Sequence, residues 1–295
     1  MRKFTRTFVL LGALALTIIG ALAGFASAFS PVAVFGTLVP KDGGVSVVRD
    51  IAYGPEPRQY LDVYRPDGEA SGLPVIFFSY GGGWESGEKA DYGFVGKAFA
   101  ARGYVVVIAD YRVVPEVVYP AFVEDNARAV RWLQQEVSAY GGDPSRLFLM
   151  GHSAGAYNVM MLALSDRFGV DTSAIDGVVG LSGPYDFYPF DVSQSINAFG
   201  QYARPEQTQP VNIVTGDTPP MLLAHGDKDG TVFLRNATAL AQKVSEAGGE
   251  AQLRIYEGAN HADTLTSLSM PLRWRYPVLD DVLAFLAEHG GLNRT

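Results

Sequence analysis

Between residues 45 and 288, short β-branched or apolar runs alternate with longer amphipathic ones, and this alternation restricts the fold more than any other feature. Strands separated by helix-length segments join in parallel, with helices on both faces of the sheet. Strands are predicted at 45–49, 59–64, 75–79, 105–109, 147–150, 178–182, 221–224 and 252–256. The first two lie too close for an intervening helix and read as antiparallel. The others are apolar nearly throughout, as strands covered on both faces are. Helices are predicted at 92–101, 122–140, 154–168, 234–247 and 278–288, with Gly141-Gly142 and Gly248-Gly249 punctuating two of their ends. Residues 183–220 break the pattern with six prolines, several aromatics and no clean period. An irregular segment of that length inside a compact domain is usually a lid or a binding loop. The expectation is one α/β domain over residues 45–290, built on a mostly parallel eight-stranded sheet, with a lid-like insertion at 183–220 and a linker at 29–44.

The N-terminus reads as an export segment. Arg2, Lys3 and Arg6 precede an apolar run from Phe8 to Phe25, and Ala26-Ser27-Ala28 supplies a small-residue cleavage signal. The run is also long enough to cross a bilayer, so the segment is either a signal peptide cut after Ala28 or a retained anchor. Both readings carry the rest of the chain across the membrane, periplasmic, secreted or held at the outer side of the membrane, because the basic residues stay inside. Residues 1–28 hold three basic and no acidic side chains, so their removal takes the net charge from −8 to −11. Such a surface repels nucleic acid. With no cysteine in 295 residues, thiol catalysis and thiolate metal sites are excluded. A chain of this length needs no such staples to bury a core.

The chemistry concentrates in Gly151-His152-Ser153-Ala154-Gly155, a G-x-S-x-G pentapeptide between an apolar strand and a helix. A sharp strand-to-helix turn needs small residues beside the serine, and it sets the hydroxyl at a helix N-terminus. A serine hydroxyl is a weak nucleophile until a base removes its proton. Of the four histidines, His152 is the serine's own neighbour, His225 ends an apolar strand and His289 lies in the polar tail. His261 remains, in a glycine-containing loop after the last strand. The orienting acid is expected after the strand at 221–224, where Asp227 and Asp229 both qualify and spacing does not separate them. The chain order Ser…Asp…His is thereby satisfied. Tyr80-Gly81-Gly82-Gly83-Trp84 follows another strand, and its glycines let backbone N–H groups approach a substrate oxygen. Gly82 and Gly83, with the N–H of Ala154, are the expected oxyanion hole. Trp84, His152 and Tyr185 are candidate pocket residues.

With these residues in place, the chain resembles the alpha/beta-hydrolase superfamily, and within it the hormone-sensitive-lipase-like and carboxylesterase-like serine esterases. Leu61-Asp62-Val63-Tyr64-Arg65-Pro66, Asp110-Tyr111-Arg112-Val113-Val114-Pro115-Glu116, Tyr119-Pro120-Ala121 with Asp125, and Tyr140-Gly141-Gly142-Asp143-Pro144-Ser145-Arg146 are each similar to a family motif. His225-Gly226-Asp227-Lys228-Asp229 resembles the family's acid-bearing segment, and the resemblance implies Asp229 as the catalytic acid. Tyr80 departs from the family, which usually has a histidine before these glycines. The Gly-Gly-x-Trp arrangement is similar to feruloyl-esterase-like and arylformamidase-like relatives as well. Arg112 and Asp125 are read as a structural ion pair behind the oxyanion loop.

The functional expectation is carboxylic ester hydrolysis of a small-molecule substrate through a Ser153–His261–Asp229 triad and an acyl-enzyme, with no metal or organic cofactor. The alternatives are amide or formamide hydrolysis by the same triad, and a catalytically silent binding module. A membrane is a partner only through a retained anchor.

Overall fold

The computed structural model describes residues 31–292; the expected export segment, residues 1–28, lies outside the described residues. Eight strands form one sheet: β1 (Val45–Ala52), β2 (Tyr60–Pro66), β3 (Leu73–Ser79), β4 (Val105–Ala109), β5 (Gly142–His152), β6 (Ile175–Leu181), β7 (Met221–Gly226) and β8 (Ala251–Tyr256). Their order is β1-β2-β4-β3-β5-β6-β7-β8. β2 is antiparallel to both neighbours, and the six strands from β4 to β8 along the sheet run parallel. β3, β4 and the apolar half of β5 are buried on both faces, which is why they read as continuous apolar runs instead of alternating ones.

Helices α1 (Pro31–Leu38), α2 (Gly93–Ala100), α3 (Ala121–Glu136), α4 (Ala154–Leu164), α5 (Ser193–Phe199), α6 (Arg235–Glu246), α7 (Asp263–Thr266) and α8 (Val278–Glu288) are the α-helices of the described residues. The helix expected over 122–140 is α3 tightened into a 3-10 turn at Val137–Tyr140, where Gly141 takes a left-handed φ of 87°. The helix expected over 154–168 stops earlier. Ser165 is extended, and a separate 3-10 turn covers Asp166–Phe168. The segment expected as a linker, residues 29–44, contains helix α1. The irregular segment 183–220 contains the short helix α5 and two 3-10 turns.

Parallel strands bring their C-terminal ends to one edge of the sheet, where ligands of open α/β sheets bind. β3 ends there at Ser79, paired with Gly151 of β5. β7 and β8 end there at Gly226 and Tyr256, also paired. The loops that leave these four strands carry every residue of the expected chemistry. Among the described residues no helix is long and apolar enough to cross a membrane.

Candidate active site

Ser153 sits between β5 and α4 with φ 54° and ψ −124°, a backbone conformation that L-residues rarely adopt. The turn is tight enough to demand both flanking glycines. A Cβ on Gly151 would lie 2.4 Å from the Gly155 backbone, and one on Gly155 would lie 2.0 Å from the Ser79 carbonyl oxygen. The Ser153 N–H donates to the Leu181 carbonyl at 2.9 Å, which ties the turn to β6. These contacts hold the hydroxyl out of the sheet edge at the start of α4.

Two loops close on that hydroxyl. His261 Nε2 lies 3.0 Å from Ser153 Oγ, and His261 Nδ1 lies 2.8 Å from Asp229 Oδ2. Asp229 Oδ1 accepts the N–H groups of Thr231 and Val232 at 2.9 and 2.8 Å. Burial alone would raise the Asp229 carboxyl, but hydrogen bonds from His225 and His261 outweigh it and hold the group well below the usual carboxylate range. Asp227, the competing acid, instead accepts the Gly258 N–H at 2.6 Å.

The remaining neighbours of these three residues were not placed beside them by sequence reasoning. His225 Nε2 donates to the Val232 carbonyl at 2.7 Å and lies 3.3 Å from Asp229 Oδ2, so the acid is gripped by two imidazoles. His152 Nε2 donates to the His261 carbonyl at 3.1 Å, and the two rings lie 5.0 Å apart. Burial, reinforced by the neighbouring His261, pushes the His152 pKa down to about 3. It is therefore a neutral imidazole with its proton on Nε2, while its buried Nδ1 has no partner. The His225 contacts are made within one loop, four and seven residues along the chain, whereas the His152 contact is made only by the 109-residue closure to His261.

Across the cavity, Gly82 and Gly83 take φ of 126° and 62°. The Gly82 carbonyl accepts the N–H groups of Glu85 and Ser86, both at 3.1 Å. Among the described residues the N–H groups of Gly82 and Gly83 meet no backbone acceptor. Tyr80, the departure from the family pattern, is the hub behind this loop. Its hydroxyl donates to Asp110 Oδ1 at 2.9 Å and accepts from Arg58 Nη2 at 3.0 Å. Its carbonyl accepts the Tyr111 hydroxyl at 2.8 Å, and its ring stacks between Tyr92 and Tyr111. Asp110 also accepts the Lys89 N–H, and Arg58 reaches the Gly87 carbonyl. Arg112 pairs with the buried Asp125 through two parallel bonds of 2.9 and 2.8 Å.

Ser153 and His261 open into a cavity of about 620 Å³, within the range of small-molecule sites. Gly82, Gly83, Ala154, Trp84 and His152 line it. Trp84 is anchored by its indole N–H to Asn158 Oδ1 at 3.1 Å and packs edge-on against Tyr157 and Phe199. Tyr185, expected in the pocket, is not among the lining residues. It is fully buried, its hydroxyl turned against the backbone of Gly180 and Gly183. Phe187 from the irregular segment takes the lining position instead, and α1 contributes Val32. One group of described side chains has the spacing of metal ligands, Glu250, Glu288 and His289. It lies at the opposite, N-terminal end of β8, and Gln252 already donates to Glu288 there.

The BD-FAE family model matches residues 61–244 of this chain. A probable isoprenylcysteine alpha-carbonyl methylesterase of Oryza sativa subsp. japonica is 29% identical over 81% of this chain and 64% of its own length. The esterase LipC of Mycobacterium tuberculosis is 31% identical over 72% of this chain and 59% of its own. The chain thus spans less than two thirds of either curated relative. Among solved structures, Thermogutta terrifontis esterase 2 phosphorylated by paraoxon superposes with a TM-score of 0.71 at 25% identity, covering 87% of this chain and 98% of that one. The sheet order and these neighbours establish the α/β-hydrolase fold.

Proposed function

The chain belongs to the BD-FAE family, and from that premise we propose that it is a serine carboxylesterase acting through Ser153, His261 and Asp229. The observation that carries this reading is the unbroken hydrogen-bonded line from Ser153 Oγ through His261 to Asp229, at 3.0 and 2.8 Å, opening into an apolar cavity.

His261 Nε2 takes the proton of Ser153 as Oγ attacks the ester carbonyl, and the serine–acyl bond forms. Asp229 fixes the proton of His261 on Nδ1 and stabilises the imidazolium. Its two backbone donors and His225 keep the carboxylate charged for that task. The N–H groups of Gly82, Gly83 and Ala154 receive the oxyanion, usually the largest single contribution to such catalysis. His261 returns the proton to the departing alcohol. It then takes a proton from water, whose oxygen attacks the acyl carbon and releases the acid and free Ser153. The His152 bond to the His261 carbonyl holds the base in place, and a neutral His152 adds no charge against the imidazolium.

The lining residues Val32, Trp84, Phe187, Val192 and Phe233 favour an apolar acyl or alcohol group. The rice relative is named for cleaving a methyl ester of a prenylated cysteine, which fits the same preference. Residues 183–220 form the selective wall of the site, and residues 1–28 carry the catalytic domain across the membrane. Hydrolysis of a short-to-long series of chromogenic acyl esters tests the reading. Ser153→Ala should lower kcat by about 10⁶-fold while leaving the circular dichroism spectrum unchanged. Paraoxon should inactivate the enzyme once per chain, with the added mass on the peptide that contains Ser153. Turnover retained in Ser153→Ala would sink the assignment.

A further inference from the structure

Helix α1 has the sequence Pro-Val-Ala-Val-Phe-Gly-Thr-Leu, without a charged residue, yet Gly36 is its one buried position. A helix that is apolar on every side belongs inside a core or in a lipid environment, not half in water. One side of α1 is docked: Gly36 packs on the Asp91 carbonyl, and the Phe35 ring meets Phe94 edge-on at 5.3 Å. Residues 32–35 are half-buried, and the exposed positions are Pro31, Thr37 and Leu38, the last at 76% exposure.

Four further observations bring this helix and its exposed end to the mouth of the cavity and toward a membrane. Val32 of α1 lines the cavity beside Ser153. Val192 and Phe233 also line it, yet are 53% and 57% exposed, so they stand at its mouth. Ile196, one turn beyond Val192 in α5, is 50% exposed. Finally, α1 begins six residues after Phe25, where the N-terminal apolar run ends. Six residues of chain reach at most about 20 Å. An apolar run seated in a bilayer therefore holds the cavity mouth close to that bilayer's surface.

We propose that the outer face of α1, together with Val192, Ile196 and Phe233, is a docking surface for a lipid bilayer. Apolar surface that is costly in water becomes favourable at the interface, where helices of this kind lie with one face in the acyl boundary. The chain's net charge of −8 directs it to neutral lipid, since an anionic leaflet repels it. Joined to the esterase reading above, on which this part rests, the docking implies substrates that are lipophilic esters dissolved in the membrane and entering the cavity from it.

The absence of cysteine allows a direct test. Leu38→Cys and Ile196→Cys, each carrying an environment-sensitive nitrobenzoxadiazole dye, are reconstituted as full chains into phosphatidylcholine vesicles with or without nitroxide-labelled lipid. Glu69→Cys, exposed in the loop before β3 at the opposite end of the sheet, is the reference. The expected result is blue-shifted emission at positions 38 and 196 that is lost with nitroxide lipid, and unchanged emission at 69. Water-like emission at either position 38 or 196 overturns the proposal. Blue-shifted emission that nitroxide lipid does not quench overturns it too, because protein would then cover the face: residues 1–30 or a second copy. Hydrolysis of a water-soluble ester, with Ser153→Ala as control, is measured separately. A failed esterase reading therefore leaves the dye result standing.

Discussion

The two walls of the catalytic cavity are held by different forces. The glycine-loop wall, residues 80–87, is fastened by directional polar contacts: Tyr80 to Asp110 and Arg58, Lys89 to Asp110, Tyr111 to the Tyr80 carbonyl. The facing wall, residues 183–199, leans on aromatic packing. Phe187 stacks on Trp84 and meets Tyr157 edge-on, Phe199 meets both Trp84 and Tyr157 edge-on, and Phe190 packs on Phe187 and Phe199. Its backbone is tied by side-chain amides, Asn236 accepting from Tyr185 and Asp186 and Gln209 from Phe187. Hydrogen bonds weaken steeply when bent, so the first wall is suited to the proposed role of holding donors on a reacting oxygen. Apolar contact is non-directional, so the second wall can change shape at modest cost. Chemistry is assigned to the rigid wall, and selectivity to the adaptable one.

The division can be broken at several points. The largest effect is expected from Asp229→Asn, which leaves His261 without an anion to fix its tautomer and should lower kcat by about 10⁴-fold on every ester alike. Asp227→Asn, at a carboxylate that meets the Gly258 N–H and the exposed Lys228 ammonium and not His261, should change kcat little. Equal losses in the two variants, measured by steady-state kinetics, would undo the role given to Asp229. Next, Tyr80→Phe removes the hydroxyl that joins Asp110 to Arg58 and loosens the oxyanion loop. The expected fall in kcat is about 10-fold, a fraction of what a lost oxyanion donor costs, and uniform across acyl lengths. A change confined to long acyl chains would mean that Tyr80 serves selectivity instead.

Phe199→Ala acts on the other wall. The fully packed ring meets Trp84, Phe122, Tyr157 and Phe187, so its loss should cost about 3 kcal/mol of stability in denaturant titration. It should also shift the ratio of long- to short-chain turnover while sparing kcat on the shortest ester. The smallest effect concerns pH. The folded-state pKa of His152, about 3, lies below the ordinary value of 6.5. Between those values the unfolded chain binds a proton that the folded chain refuses. Folding stability therefore falls as pH drops through that window, by up to about 1.4 kcal/mol per pH unit. His152→Gln, which keeps a donor for the His261 carbonyl, should remove this slope. Unfolding at pH 7 and pH 5 measures it.

Much of this was legible before folding. The strands at 105–109 and 221–224 and the helix at 278–288 are found at the expected places because their apolar runs or periodic faces are local signals. Helix ends are less legible. α4 stops short of the expected end at the extended Ser165, and the 3-10 turn beyond it is held by Arg131, which donates to the Phe168 carbonyl from 37 residues away. Helix α1 has no polar face to mark it as amphipathic, and α5 lies in a segment broken by prolines, so neither carried a period to read.

Ser153 and its glycines were determined by the sequence alone, since a strand, a sharp turn and a helix are all made by neighbours in the chain. The order Ser153, Asp229, His261 was legible for the same reason, each residue sitting just after its own strand. The tertiary structure alone decided what those residues touch. It set Asp229 and not Asp227 against His261, gave Tyr80 its partners 22 and 30 residues away, buried Tyr185, and brought Val32 to the cavity wall. Local sequence specifies conformation through steric and hydrogen-bonding preferences a few residues long. Contacts between distant segments depend on how the whole sheet closes, and no short stretch of chain encodes that.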